Sequence, residues 1–352
     1  MAQKTADTRY LYWADFIRVV AIFLVVVIHV TAGLLYGWGK VPLSNWMTGN
    51  IYDSAARISV PLLFMISGSL LLAKDEPLKD FLLKRAGKLL IPFIFWSLVY
   101  LFWRCQVNDG VCTPRVVLRL FLLDGTYYHL WFLYALIGLY LVTPLLRLIA
   151  ASNAKSILWY LMALWVFFQP VAAALDKVWD LQIGISAPMA TGFVGFFVLG
   201  HLLGEINPSS RQAALAFVVW LLSTAATAAG TYYMSSTAGE FAEFFYDYLS
   251  LNVILASASS FLLLKSLSSR EFMERPVVSR LVRAAARGSF GIYLIHVLVL
   301  DIVGGHIPLI HFNVEMGNPV WSVPLVSVIA FVTSFCAVYV MQKIPILNRV
   351  VP

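Results

Sequence analysis

The sequence predicts an all-α polytopic membrane protein: a bundle of about ten transmembrane helices with both termini in the cytoplasm. Three observations predict it. Of 352 residues, 61% are hydrophobic and only 12% charged, about half the charged share of a soluble domain. The apolar residues fall into runs long enough to cross a ~30 Å hydrocarbon core at ~1.5 Å per helical residue. The Lys and Arg residues sort to one side of those runs, as the positive-inside rule requires.

The runs read as spans at 14–35, 51–73, 86–104, 129–149, 156–175, 188–206, 212–234, 242–266, 287–307 and 320–342. With the N-terminus inside, nineteen of the twenty-five Lys and Arg residues fall on the cytoplasmic side. The outer side keeps Lys40, Arg104, Arg115, Arg119 and Lys177, and Arg57 lies within helix two. The net charge of +7 therefore follows topology and does not point to nucleic acid. The expected division is a cytoplasmic tail (1–13), a membrane domain (14–342) and a second cytoplasmic tail (343–352). The first apolar run is full length and has no small-residue cleavage site, so it is expected to remain as helix one.

Helix one begins with Asp15 and Arg18, is apolar from Val19 to Ile28, and then carries His29. Eleven residues at about 100° each return to nearly the same helix face. One face thus holds a cation at the cytoplasmic end and an imidazole about two-thirds of the way across. Polar groups at such depth are costly in lipid and usually functional. Helix two carries Asp53 and Arg57 at i, i+4, a spacing that permits an ion pair. Lys84, Arg85 and Lys88 open helix three. Cys105 and Cys112 flank the next outer loop, where they either form a disulfide or remain two thiols. His129 and Trp131 open helix four beside Tyr127 and Tyr128. Pro170 and the Asp176–Asp180 stretch leave spans five and six open to a re-entrant reading. Arg280, Arg283 and Arg287 open helix nine, which carries Tyr293 and His296 at i, i+3; Cys336 in helix ten reads as a packing residue. No Cys/His metal spacing is present, so no metal is expected.

Each polar group also has a structural reading. Arg57 and Asp53 can lock helix packing, His129 can belong to an aromatic belt, and Asp15 with Arg18 can be a helix-start pair. Tyr293 and His296 can bond neighbouring helices. The basic cluster can follow from the positive-inside rule alone, or can bind phosphate at helix N-termini.

Five stretches resemble the acyltransferase-3 family of integral-membrane acyltransferases. They are Asp15-Phe-Ile-Arg18 with the R-x10-H spacing to His29, Arg57-Ile-Ser-Val-Pro through Gly68, and Phe81 through Pro92. Tyr128-His-Leu-Trp-Phe-Leu133 running to Pro144, and Gly288 through His296, complete the set. They occur in the family's order and cover most of the membrane domain. The chain is similar to stand-alone members, without the hydrolase-like domain that others carry outside the membrane. The resemblance implies transfer of an acetyl group from cytoplasmic acetyl-CoA, as donor and sole cofactor, to a glycan or glycolipid hydroxyl on the outer side of a bacterial inner membrane. It makes His29 the catalytic candidate, with Arg18 essential and Arg57 matching the arginine of the second motif. A sugar hydroxyl needs a general base, so His29, Arg57 and His129 are the expected catalytic set. Arg18, Asp15, Lys84, Arg85, Lys88 and Arg287 are the expected donor-side set, and Asp53, Trp131, Tyr293 and His296 the acceptor or supporting set. The partners implied are that acceptor and the membrane lipids. The reading from another class is a secondary transporter or flippase for an anionic or glycan substrate, which would also place His, Arg and Asp at mid-membrane.

Overall fold

The computed structural model describes residues 11–107, 113–121, 126–151, 155–181, 192–268, 275–306 and 312–352. The chain order is α1 (Tyr12–Tyr36), α2 (Leu43–Ala56), α3 (Ser59–Leu71), α4 (Leu78–Val107), α5 (Pro114–Arg119), α6 (Trp131–Ala151), α7 (Lys155–Val166), α8 (Ala172–Trp179), α9 (Val194–Gly204), α10 (Ser210–Ala238), α11 (Leu251–Ser268), α12 (Pro276–Asp301) and α13 (Pro319–Met341). No strand occurs among the described residues, so the protein is an all-α polytopic bundle. Nine helices, counting α2 with α3 and α7 with α8 as single spans, are long and apolar enough to cross a membrane among the described residues.

The expected sixth span is the departure. Its described part, α9, has only eleven residues, about 16 Å or roughly half the hydrocarbon thickness; residues 182–191, before it, lie outside the described residues. This helix is buried from Gly195 to Leu203 and packs along α3. The approach is close because both helices present glycine: a Cβ on Gly68 would meet the Phe197 carbonyl oxygen at 1.8 Å, and one on Gly200 the Met65 carbonyl oxygen at 2.0 Å. Lys265 Nζ donates to the carbonyls of Gly204 (2.5 Å) and Ile206 (2.7 Å), closing the end of α9.

Two prolines shape the other spans. Pro61 cannot donate to the Arg57 carbonyl, so the second span breaks at Arg57 and Ile58 between α2 and α3. Arg57 is therefore at a kink and not within a regular helix, as the sequence suggested. At Pro170 the chain absorbs the missing N–H in a π-type turn, Phe167–Val171. Lys155–Lys177 thus runs on as one helical stretch that is long and apolar enough to cross a membrane. It stops at Asp180, the one described non-glycine residue with positive φ (52°).

Helix α1 sits at the centre, in contact with α2, α3, α11, α12 and α13. That position explains why an imidazole is tolerated on it: its neighbours are protein, not lipid. Helix α13 is peripheral, so Cys336 is free and exposed on its outer face, not packed as expected. Cys105 is disulfide-bonded, while Cys112 lies outside the described residues. Residues 1–10 of the N-terminal tail also lie outside them. The 343–352 segment folds back: Trp96 Nε1 donates to the Val350 carbonyl at 2.9 Å, and Val351 is buried.

Candidate active site

Three imidazoles from three separate segments converge. His29 projects from α1. His129 sits in a 3-10 turn, Tyr128–Leu130, that leads into α6, and His296 lies in α12. The His29 ring is 5.1 Å from that of His296, 6.3 Å from that of His129 and 5.2 Å from that of Tyr128; the His129 and His296 rings are 5.4 Å apart. Neither ring nitrogen of the buried His129 has a hydrogen-bond partner of ordinary geometry, although the Leu294 backbone stands close enough to act on the ring. His296 is ordered by its own helix. Its Nδ1 lies 2.6 Å from the Tyr293 carbonyl oxygen. A carbonyl only accepts, so Nδ1 carries the proton and Nε2 is left as the acceptor. That Nε2 is buried and has no partner.

Val25, Ile28, His29, Val60, His129, Trp131, Phe132, Tyr248 and Tyr293 enclose a chamber of about 40 Å³. A larger cavity of about 400 Å³ lies on the basic side, lined by Arg18, Lys74, Arg85, Lys88, Tyr140 and Ser289 among others. Phe132 and Tyr293 line both spaces, and their rings are 5.2 Å apart. The Tyr293 hydroxyl donates to the His129 carbonyl, which fixes this partition to the turn that carries His129.

Arg57 and Asp53 do not line the chamber. Arg57 Nε pairs with Asp53 Oδ1 at 2.5 Å, and the guanidinium stacks 4.3 Å above the Tyr246 ring and 5.7 Å from that of Tyr248. Arg57 thus stands behind Tyr248, one side chain away from the imidazoles. Asp53 accepts a second bond from Thr31 Oγ1 at 2.8 Å. The reason is local: a buried carboxylate in a membrane bundle needs a partner, and the i+4 arginine supplies it.

The residues expected on the donor side divide. Arg18 lines the large cavity while Asp15 holds it at 2.9 Å. Arg85 and Lys88 line it too. Lys84 and Arg287 do not. Lys84 is turned away by Glu76 at 2.7 Å, and Arg287 is exposed on the surface of α12. Glu76 also stands 3.8 Å from Arg85 and 3.7 Å from Arg147. The Lys84 ammonium bonded to Glu76, with these two guanidinium groups, holds its carboxyl below the usual carboxylate range. Lys74 lines the cavity as well; in the sequence it was one of many cytoplasmic cations, with no motif to mark it. Tyr248 was equally hidden, because only tertiary packing brings it to the chamber. Tyr128 stood out only as one of the aromatics beside His129.

Among the described residues no group of three or more His, Cys, Asp or Glu has the geometry to hold a metal. The His29 and His129 rings line a small apolar space, and the His296 ring stands 5.1 Å and 5.4 Å from them as a further potential proton donor or acceptor. That arrangement suits proton transfer to and from a bound hydroxyl.

No solved structure matches the chain. A curated relative, an amino-acid racemase from Enterococcus faecalis, is 23% identical over 367 residues, which are 96% of this chain and 47% of that protein. The chain therefore spans about half the length of that relative. A family model described as an acyltransferase domain, that of the acyltransferase-3 family, matches residues 11–342, which include both cavities' walls except Pro352. The chain belongs to the acyltransferase-3 family of multi-pass membrane acyltransferases.

Proposed function

We propose that the protein is a membrane O-acetyltransferase. It takes an acetyl group from cytoplasmic acetyl-CoA and passes it to a hydroxyl of a surface polysaccharide, glycolipid or lipid-linked glycan precursor on the outer side of a bacterial inner membrane. The observation that carries this reading is the sharing of Phe132 and Tyr293 by the two cavities. Space that is basic at one end meets space lined by imidazoles at the other, with two rings between them. The positive-inside bias reads the basic end as cytoplasmic. The racemase activity of the relative is not carried over, since this chain covers 47% of that protein.

In this reading Arg18, Lys74, Arg85 and Lys88 hold the donor's phosphates, and the thioester reaches the partition. His29 takes the proton of the acceptor hydroxyl. The hydroxyl oxygen attacks the thioester carbonyl, a C–O bond forms and the C–S bond breaks. The proton leaves His29 for the sulfur, giving ester and CoA thiol. His129 lines the chamber with an unpartnered ring and donates to the oxyanion of the tetrahedral intermediate. His296 is a positioning residue: with Nδ1 tied to the Tyr293 carbonyl, its ring stands 5.1 Å from that of His29 and limits how the base can turn. Arg57 contributes its positive charge from behind Tyr248.

The test uses full-length protein in proteoliposomes made with total membrane extract of the source cells. Acetyl-CoA should be consumed with release of free thiol. His29→Ala should lower kcat by about 10²–10⁴-fold with the thermal unfolding midpoint unchanged. Full turnover by His29→Ala would remove His29 as the base, and no thiol release by the parent protein would remove the acetyltransferase reading.

A further inference from the structure

We infer that a cavity at the cytoplasmic ends of α6, α7 and α9 binds the headgroup of a phospholipid that joins a phosphodiester to a primary ammonium, as phosphatidylethanolamine does. The site stands apart from acyl transfer and does not depend on that reading.

The cavity holds about 770 Å³. The 72–78 segment, the last turns of α6, the start of α7 and the end of α9 form its walls. Its only residue given a part in acyl transfer is Lys74, which lines the donor cavity too. The walls carry both signs of charge: Lys74, Arg147 and Lys155 against Asp75, Glu76 and Glu205.

Arg147 is the fixed cation. It is 9% exposed, and a buried guanidinium has five N–H groups to satisfy. Its Nε donates to the Leu71 carbonyl at 2.8 Å, and the group lies 4.4 Å over the Phe81 ring. Nη2 is closed off, 3.7 Å from Glu76 Oε2 and without a hydrogen bond of ordinary geometry. Nη1 is neither enclosed nor bonded among the described residues, so it is the nitrogen left to the cavity. Glu76 is shared with Lys84 at 2.7 Å and Arg85 at 3.8 Å, which leaves Arg147 incompletely paired. A pinned guanidinium with a free edge suits a phosphate oxygen.

The negative groups suit an ammonium. Asp75 makes no ion pair among the described residues. Glu205 is bonded by Lys155 at 2.6 Å, but both side chains are exposed. An exposed pair of this kind contributes little and exchanges readily, so Lys155 can turn to the phosphate and Glu205 to the ammonium.

The bilayer is the source of the ligand. Leu78, Leu145 and Leu148 line the same cavity and are exposed. In a membrane bundle such leucines meet acyl chains, so a lipid can keep its chains outside while its headgroup enters. Charged pockets between helices on the cytoplasmic side take headgroups in this way. The carboxylates choose among lipids. A primary ammonium donates to them, a trimethylammonium has no N–H to give, and a glycerol headgroup has no positive charge. They also oppose the nucleotide end of CoA, whose phosphates would bring only like charge beside Asp75 and Glu205.

The experiment is native mass spectrometry of the full-length protein in detergent. It is titrated with phosphatidylethanolamine, phosphatidylcholine and phosphatidylglycerol of identical acyl chains. The parent should bind the first about tenfold more tightly than the other two. Arg147→Gln and Lys155→Gln should each weaken that binding by about tenfold, the effect of losing one charge-assisted hydrogen bond. Asp75→Asn should lower the ethanolamine lipid toward the glycerol lipid and leave the latter unchanged. Thermal unfolding accompanies each variant, since Arg147→Gln also gives up the bond to Leu71. Lys155 and Asp75 are exposed and carry the test if that variant does not fold. Equal binding of the three lipids by the parent would overturn the inference, as would a preference that none of the folded variants alters. Displacement of the bound lipid by adenosine 3′,5′-bisphosphate would give the cavity to the donor's nucleotide and overturn it as well.

Discussion

Removing one member of the Asp53–Arg57 pair should be among the most damaging single changes that can be made away from the imidazoles. The two side chains are 1% and 17% exposed and meet at 2.5 Å. At an effective dielectric constant of about 20 their Coulomb attraction is about 7 kcal/mol at that distance, most of it offset by the desolvation of both ions. What a variant reads is the cost of leaving one ion behind, about 3–5 kcal/mol for a buried pair. In Asp53→Ala, Thr31 keeps partners, because its hydroxyl also bonds the carbonyls of Val27 and Ile28 at 3.0 Å each. The loss therefore belongs to Arg57, which retains its stacking on Tyr246 and its contact with Tyr248 but no carboxylate partner. The measurement is a double-mutant cycle with Asp53→Ala, Arg57→Ala and both, each unfolded in mixed micelles and followed by tryptophan emission. Both single variants should be destabilised, and the double variant by less than their sum, with a coupling of about 2–3 kcal/mol. Additivity within about 0.5 kcal/mol would show that the pair is not a unit and would refute the reasoning.

Other expectations follow from the basic cavity. Arg85→Gln with Lys88→Gln should raise KM for acetyl-CoA by tenfold or more, whereas Lys84→Gln, whose ammonium is turned to Glu76, should leave it nearly unchanged; steady-state kinetics on the two variants and the parent decides, and an equal rise in both variants would contradict the division. Glu76 titrates lower folded than unfolded. Its contribution to stability is therefore complete above the ordinary carboxylate range, about pH 4–4.5, and is lost as the pH falls through that range toward its folded value. The stability gap between the parent protein and Glu76→Gln should be constant from pH 7 to pH 5.5 and close on further acidification; a gap that widens below pH 5 would reverse the assignment.

How much was legible before folding varies by residue. The all-α membrane class was open to inspection because lipid demands long apolar helices and marks their cytoplasmic ends with cations. The Arg18–His29 face and the Asp53–Arg57 and Asp15–Arg18 pairs were legible too, since helical spacing alone brings i, i+3, i+4 and i+11 together. The kink at Arg57 was legible in principle from Pro61. Lys84 was not readable as an outlier among its neighbours, because the Glu76 that diverts it comes from outside the helix.

By itself, then, the sequence determined the class, the candidate family motifs and every pairing confined to one helix, all of them consequences of helix geometry and of the cost of polarity in lipid. Only the tertiary structure decided that His29 meets His129 and His296, not Arg57 or Asp53. It alone showed that Phe132 and Tyr293 stand between a basic cavity and a small histidine chamber, and that Tyr248 separates Arg57 from that chamber. These groupings join residues as far apart in the chain as His29 and His296. They arise from how helices rotate and close-pack against one another, through glycine contacts such as Gly68 on Phe197, and no local periodicity encodes that rotation.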